Sequence, residues 1–183
     1  SIVAAGISRT FQNIRLFSDL RVIENVLIGA HIRTNYHFFQ SIFRTKKFRK
    51  EEDKVTEEAI RLLKSIDLDH RRDEYASNLP YGEQRKLEIA RAIATGACLI
   101  LLDEPAAGMN PQESAELMEF IYKLRGQGYT ILMIEHDMSV VMNVSDRIYV
   151  IDHGKPIASG LPREIADNPK VIEAYLGGGQ KGA

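Results

Sequence analysis

Leu99-Ile100-Leu101-Leu102-Asp103-Glu104-Pro105 is the stretch that decides the fold class. Four apolar residues in a row suit a strand buried on both faces, as in a parallel sheet. Two adjacent carboxylates then leave its C-terminal end, where open α/β sheets bind their ligands. In phosphoryl transfer an acidic group at this place holds Mg2+, directly or through water. A second carboxylate can accept a proton from the attacking water. Neighbouring strand residues face opposite ways. Both can therefore serve one site only if the chain turns at once, and Pro105 is consistent with such a turn. Alone, the string is equally compatible with an acidic strand end without function.

Downstream, strand and helix alternate. Asn110-Pro111-Gln112-Glu113 has the chemistry of a helix start: Asn110 can cap, Pro111 fits the first helical position, and Glu113 can close a capping box. The helix then carries Leu117, Ile121 and Leu124 on one side and stops at Gly126-Gln127-Gly128. Thr130 to Ile134 reads as a second buried strand, about Met138 to Val144 as a helix, and Ile148 to Ile151 as a third strand. This order implies parallel pairing through right-handed crossovers. A turn at Asp152-His153-Gly154 then leads to a shorter strand near Pro156 to Ser159. The single cysteine, Cys98, excludes an internal disulfide. In the apolar run Cys98 to Leu102 it is expected to pack in the core.

Upstream, residues 1 to 20 read as a strand end and a loop, and residues 21 to 97 as largely helical. Val55, Ala59, Leu62, Leu63 and Ile66 fall on one face of a helix. Tyr36, Phe38, Phe39 and Phe43 precede a basic cluster of Arg44, Lys46, Lys47, Arg49 and Lys50. That combination suits a solvated basic helix with its aromatics in the core or at a subunit contact. It also suits a membrane-protein or lipid contact, or a nucleic acid. Residues 98 to 176 form the strand-helix region, and residues 177 to 183 a flexible tail.

A net charge of -1 argues against a dedicated nucleic-acid binder. No apolar run approaches the roughly 18 to 20 residues of a membrane-spanning helix, and no signal peptide is visible. Without an initiator Met at Ser1, the chain is expected to be processed or a fragment.

Taken together, four elements resemble the ATP-binding subunits of ABC transporters. They are Gln12, then Leu79-Pro80-Tyr81-Gly82-Glu83-Gln84 before Ile89-Ala90-Arg91-Ala92, then Leu101 to Pro105, then Glu135-His136-Asp137. Each is weak alone; their order and spacing are specific, and they span nearly all of residues 6 to 176. The look is closest to branched-chain (hydrophobic) amino-acid importers. The pointers are Arg9-Thr10-Phe11-Gln12 with Arg15-Leu16-Phe17, Leu87 to Arg91, Glu104 to Gly108, and Asn168 to Leu176. The lipopolysaccharide-export ATPase is similar. A non-transport relative acting on nucleic acid or the ribosome, and a non-catalytic module, are the further alternatives.

The resemblance implies an α/β P-loop NTPase (ABC ATPase) domain, here incomplete, with a parallel core sheet and an α-helical subdomain. It implies that residues 1–20 end the N-terminal core and carry the Q-loop. Residues 21–97 then make the helical subdomain with the signature motif, and 98–176 the RecA-like catalytic core. Gln12 matches the Q-loop glutamine, which reaches Mg2+ and the attacking water. Asp103 matches the Mg2+ ligand, Glu104 the catalytic glutamate and His136 the switch histidine that contacts the γ-phosphate of ATP. Pro80, Tyr81, Gly82, Glu83 and Gln84 match the signature motif, which acts on ATP held by a second ATPase subunit. Pro80 and Tyr81 replace the family's usual Ser and Gly, so the Ser contact is lost while the helix N-terminus remains. Asn110 stands where the D-loop usually has Asp.

The phosphate-binding run Gly-x-x-x-x-Gly-Lys-Ser/Thr does not occur. The only Gly-Lys pair, Gly154-Lys155, precedes Pro156, and Tyr149 holds the place of the first Gly. The expected full-length protein is an ATP hydrolase powering uptake of branched-chain or other hydrophobic amino acids. The bare chain is expected to be nearly inactive. Expected partners are transmembrane permease subunits and, indirectly, a periplasmic or surface substrate-binding protein. No nucleic acid is among them. The expected place is peripheral, at the cytoplasmic face of the inner membrane.

Overall fold

The computed structural model describes residues 5–32 and 46–177. The aromatic part of the segment 36–50, and residues 178–183 of the expected tail, lie outside them. The chain divides into two compact units, residues 1–134 and 135–183, each considered by itself.

The first unit is built on a three-stranded parallel sheet in the order β1-β2-β3. Its strands are β1 (Ile7–Arg9), β2 (Leu99–Asp103) and β3 (Thr130–Ile134). Ile7 stands opposite Leu99 and Arg9 opposite Leu101; Leu99 pairs Thr130 and Asp103 pairs Ile134. The apolar run of β2 thus takes the centre, with Ile100 and Leu102 fully buried. The chain passes from β2 to β3 through α4 (Pro111–Gly126), as the alternation implied. Leu117, Ile121 and Leu124 are its buried face. Gly128 follows at φ 93°, a conformation only glycine adopts readily, and turns the chain toward β3.

Between β1 and β2 lie the helices α1 (Val22–His31), α2 (Lys46–Ser65) and α3 (Tyr81–Ala94). In α2, Ala59 and Leu63 are buried, and so is Ile66 just past its end. In α3, Leu87, Ala90 and Ala94 are buried, as their spacing required. The start of α1 is fastened to the segment before α3: Val22 N–H donates to Glu74 O (2.9 Å), and Ala76 N–H to Leu20 O (2.9 Å). α1 packs directly on α3. Their closest approach is at Gly29, where an added Cβ would be driven into the carbonyl oxygen of Arg91.

The second unit holds α5 (Met138–Val144), the hairpin of β4 (Ile148–Asp152) with β5 (Lys155–Gly160), α6 (Pro162–Ala166) and α7 (Pro169–Gly177). Ile148, Ile165 and Val171 form its core. His153 and Gly154 join the two strands, both at positive φ (45° and 75°), which matches the right-handed twist of a tight hairpin.

Three expectations need correction. β4 was expected in parallel pairing, but its partner among the described residues is β5, antiparallel. A two-residue turn can join only antiparallel neighbours. β3 is not buried on both faces, since Leu132 and Ile134 are well exposed. It is an edge strand of the described sheet, paired on one side only. Cys98 is exposed and free. It precedes the first ladder residue, Leu99, and its Sγ lies 3.5 Å from Gly6 O at the sheet's end, outside the core.

Gly29→Ala should therefore lower stability by about 1–3 kcal/mol through overpacking between α1 and α3. Urea denaturation of the variant checks this; an unchanged midpoint would show that the helices can part freely.

Candidate functional site

The carboxyl end of β2 is shaped by one backbone torsion. Glu104 adopts φ 42°, in the left-handed region. For a residue with a side chain this costs about 1–3 kcal/mol and persists only where its surroundings hold it. Its N–H donates to Ile134 O at the end of β3 (2.9 Å), and its carbonyl accepts from Ala107 N–H (3.1 Å). The reversal needed to bring both carboxylates to one end of the sheet is made at Glu104 itself, one residue before Pro105.

β1 ends beside this turn. Thr10 N–H continues the ladder to Leu101 O (2.9 Å), and two residues later Gln12 donates its side-chain Nε2 to Glu104 Oε2 (2.8 Å). Two residues 92 positions apart in the sequence thus meet directly. Arg9 Nη2 donates to Asp103 Oδ2 (2.9 Å). With Arg9 about half exposed, this surface pair contributes only about 0–1 kcal/mol. It neutralises Asp103 without committing it. The donors Asp103 carboxylate and Gln12 amide oxygen are hard oxygens, the type Mg2+ prefers, so these residues fit that ion.

The motif before α3 approaches the same turn from another side. Pro80 is the N-cap of α3 and brings no capping side chain. Tyr81 donates its hydroxyl to Ala107 O (3.1 Å), in the loop that starts at Glu104. Gly82 is buried, and a Cβ there would meet the Glu113 side chain at 3.5 Å. Glu83 pairs with Arg71 (3.2 Å), while Gln84 Nε2 folds back on Leu79 O (2.8 Å). Asn110 caps α4: its Oδ1 accepts from the N–H groups of Gln112 and Glu113, both at 3.0 Å. Glu113 returns the bond to Asn110 N–H (3.0 Å), completing the expected box.

His136 belongs to the second unit. It is exposed, and its N–H donates to Glu135 Oε2 (3.2 Å). Asp137, next in line, caps α5 by accepting from Ser139 N–H (2.8 Å) and Ser139 hydroxyl (2.7 Å). The Ser139 hydroxyl, then its N–H, hold the Asp137 carboxyl below the usual carboxylate range.

Two residues of this region escaped the sequence reading. Arg85 and Glu88 of α3 are buried (0% and 2% exposed) and joined at 2.8 Å. Their signal was present: Gly82, Arg85, Ile89 and Ala92 lie on one helical stripe, so Arg85 interrupts an otherwise small or apolar face. Arg9 escaped as well, because nothing in a short strand end announces its partner.

A parallel sheet with an acid pair at its carboxyl end, an amide from the neighbouring strand and a helix start beside it is an α/β arrangement of the P-loop NTPase type. The chain belongs to the ABC transporter family, whose pattern matches residues 1–107. A second family, branched-chain amino acid ATP-binding cassette transporter, matches residues 155–181. Over 177 residues the chain is 48% identical to the high-affinity branched-chain amino acid transport ATP-binding protein LivG of Salmonella typhimurium. The match covers 96% of this chain and 69% of that protein. LivG of Escherichia coli K12 is 47% identical and BraF of Pseudomonas aeruginosa 46%, with the same coverage. Among solved structures, the ADP conformation of MJ1267, an ATP-binding cassette of an ABC transporter, superposes with a TM-score of 0.77 at 34% identity. It covers 96% of this chain and 70% of that one. A nucleotide-free ATP-binding cassette from an ABC transporter gives 0.75, also at 34%, covering 95% and 70%. Among the described residues no helix is long and apolar enough to cross a membrane.

Ser139→Ala should move the Asp137 titration up toward the ordinary carboxylate range, followed by carboxyl 13C shifts against pH. Because folding lowers this pKa, the charged cap contributes fully above the unfolded value. Its contribution disappears as pH falls through the lower folded value. An unmoved titration in the variant would show that Ser139 is not the cause.

Proposed function

We propose that this chain is the ATP-hydrolysing subunit of an importer for branched-chain or other hydrophobic amino acids. The observation that carries the proposal is the Gln12–Glu104 hydrogen bond at the carboxyl end of β2, beside Asp103. The relatives named for branched-chain amino acid transport support the cargo.

Glu104 acts as general base. Its carboxylate takes a proton from water as the water oxygen attacks the γ-phosphorus, and ADP leaves with the electrons of the broken bond. The Gln12 amide, held on Glu104, orients that carboxylate and offers its oxygen to the water or the ion. Asp103 and Gln12 would hold Mg2+, which neutralises phosphate charge when bound. His136 contacts the γ-phosphate as a hydrogen-bond donor. Pro80, Tyr81, Gly82, Glu83 and Gln84 present the start of α3 to ATP on a second ATPase subunit, where N–H groups and helix dipole favour an anion. Asn110 works at the same junction through its backbone, since its side chain serves the α4 cap.

In domain terms, residues 21–97 form the lobe that docks on the permease subunits, and residues 98–176 the catalytic core. The exposed Phe11 and Phe17, each under an arginine (Arg15 at 4.3 Å, Arg91 at 5.5 Å), lie in the segment that leads into this lobe and support a docking surface there. The assembly lies peripherally at the cytoplasmic face of the membrane, with a substrate-binding protein on the far side. A polypeptide of these 183 residues alone binds ATP weakly and turns it over slowly, because it contains no phosphate-cradling Gly-Lys-Ser/Thr run.

Glu104→Gln in the full-length protein should leave ATP binding intact and slow hydrolysis about 10²–10⁴-fold. Equilibrium binding of a fluorescent ATP analogue and steady-state phosphate release measure the two. Unchanged turnover would overturn the proposed role of Glu104 and with it the functional reading.

A further inference from the structure

The loop that carries Gln12 has no regular secondary structure between Thr10 and Leu20, yet its backbone is gripped from beneath. Arg85 Nη1 donates to Phe11 O (2.7 Å) and Nη2 to Gln12 O (2.6 Å). The same Nη1 reaches Glu88 Oε2 at 2.8 Å. The other oxygen of Glu88 accepts the N–H of Arg15 (3.1 Å). One buried ion pair on α3 therefore binds three successive points of the loop, two carbonyls and one amide, on both sides of Asn13.

A buried ion pair is a poor device for stability. Desolvating both charges offsets much of their attraction, and apolar replacements of similar size are often neutral or stabilising. Here Arg85 Nε even lacks a hydrogen-bond partner among the described residues. What apolar side chains could not do is hold the carbonyls of Phe11 and Gln12 in place. A planar guanidinium fork can, because its donors diverge at fixed angles. Glu88 keeps the fork oriented and adds its own hold on Arg15. It also faces Arg91, whose guanidinium is pulled down by burial and pushed back up by Glu88.

We infer that Arg85 and Glu88 are positioning residues for ATP hydrolysis: they set the backbone of the Gln12 loop so that the Gln12 amide meets Glu104. The inference rests on the functional reading above and deepens it. α3 begins at Tyr81, so the helix whose start is offered to a second subunit's nucleotide also holds the loop that orients this subunit's base. A displacement of α3 relative to the sheet would be felt at Glu104 through two links. One is Arg85 to the Gln12 backbone to the Gln12 amide; the other is Tyr81 to Ala107.

The test uses the full-length ATPase chain assembled with its membrane partners. The double variant Arg85→Met with Glu88→Leu should still fold, checked by its circular dichroism and a cooperative thermal transition. ATP turnover (kcat) should fall about tenfold to a hundredfold, the scale expected of a misplaced catalytic group, with KM for ATP unchanged. Adding Gln12→Ala to the double variant should cost no more than Gln12→Ala alone, because residues acting through one group are not additive. Wild-type kcat in the folded double variant would overturn the inference, as would losses that multiply with Gln12→Ala. Should the double variant not fold, Arg85→Lys takes its place: it keeps the charge beside Glu88 but not the fork. A comparable fall in kcat supports the inference, and wild-type turnover overturns it. Glu104→Gln, run alongside, separates the two levels. If it slows turnover while the Arg85 variants keep wild-type kcat, only the positioning role fails.

Discussion

The structure of the first unit hangs on the place of β2. It has a parallel neighbour on each side, and the two ladders leave its carboxyl end no freedom of height or direction. The ladder to β3 continues one bond past the last paired residue, from Glu104 N–H to Ile134 O. That bond is what can hold Glu104 at a positive φ against the steric cost to a residue with a Cβ. The ladder to β1 continues likewise, through Thr10 to Leu101, and delivers Gln12 two residues later. Both halves of the carboxylate–amide contact are thus extensions of sheet pairing. The geometry of that contact is set by backbone hydrogen bonds on either side of one buried strand.

This explains what could be read from the residues and what could not. The run Leu99 to Asp103 announced a central strand because burial on both faces leaves a continuous apolar string. Asn110 announced the start of α4 because capping chemistry is local, and α5 took the bounds its residues suggested. Features that depend on distant partners were illegible. The turn at Asp152-His153-Gly154 and the strand after it were legible, but Ile148 to Ile151 looks the same whether its neighbour is parallel or antiparallel, so the pairing of β4 with β5 came only from the structure. Cys98 looked like core because its sequence neighbours are apolar, yet the ladder starts one residue later and leaves it outside. Arg85 and Glu88 stand three apart on a helix, a spacing whose commonest meaning is a solvated pair. Their partners are main-chain atoms some 70 residues upstream, which side-chain patterns do not record.

The departure at Pro80-Tyr81 acquires a physical sense in the same frame. Replacing a serine and a glycine removes a hydroxyl contact to phosphate, which the family pattern expects there. The substitution brings a phenol long enough to reach Ala107 O across to the loop after Glu104. Gly108 takes φ 77° near the same ring, a backbone conformation that side chains rarely adopt. Gly82, still present, is buried near Glu113 of α4, where an added Cβ would make an ordinary contact at 3.5 Å. The start of α3 is therefore tied through Tyr81 to the loop after Glu104 and lies near Glu113 of the α4 cap.

Two ion pairs in one site show how burial separates roles. Arg9–Asp103 is exposed, so water competes with it and either partner can leave at small cost. That suits an aspartate expected to receive a cation. Arg85–Glu88 is sealed, so neither charge can leave without stranding the other in a medium of low polarisability. That suits a part which must not move relative to the loop it holds. The helix can shift only by carrying the loop with it, which makes rigidity at Arg85 a means of transmitting motion. Under the proposed coupling to a second subunit, such a site has use for one contact that yields and one that does not, and the burial of the two pairs fits that division.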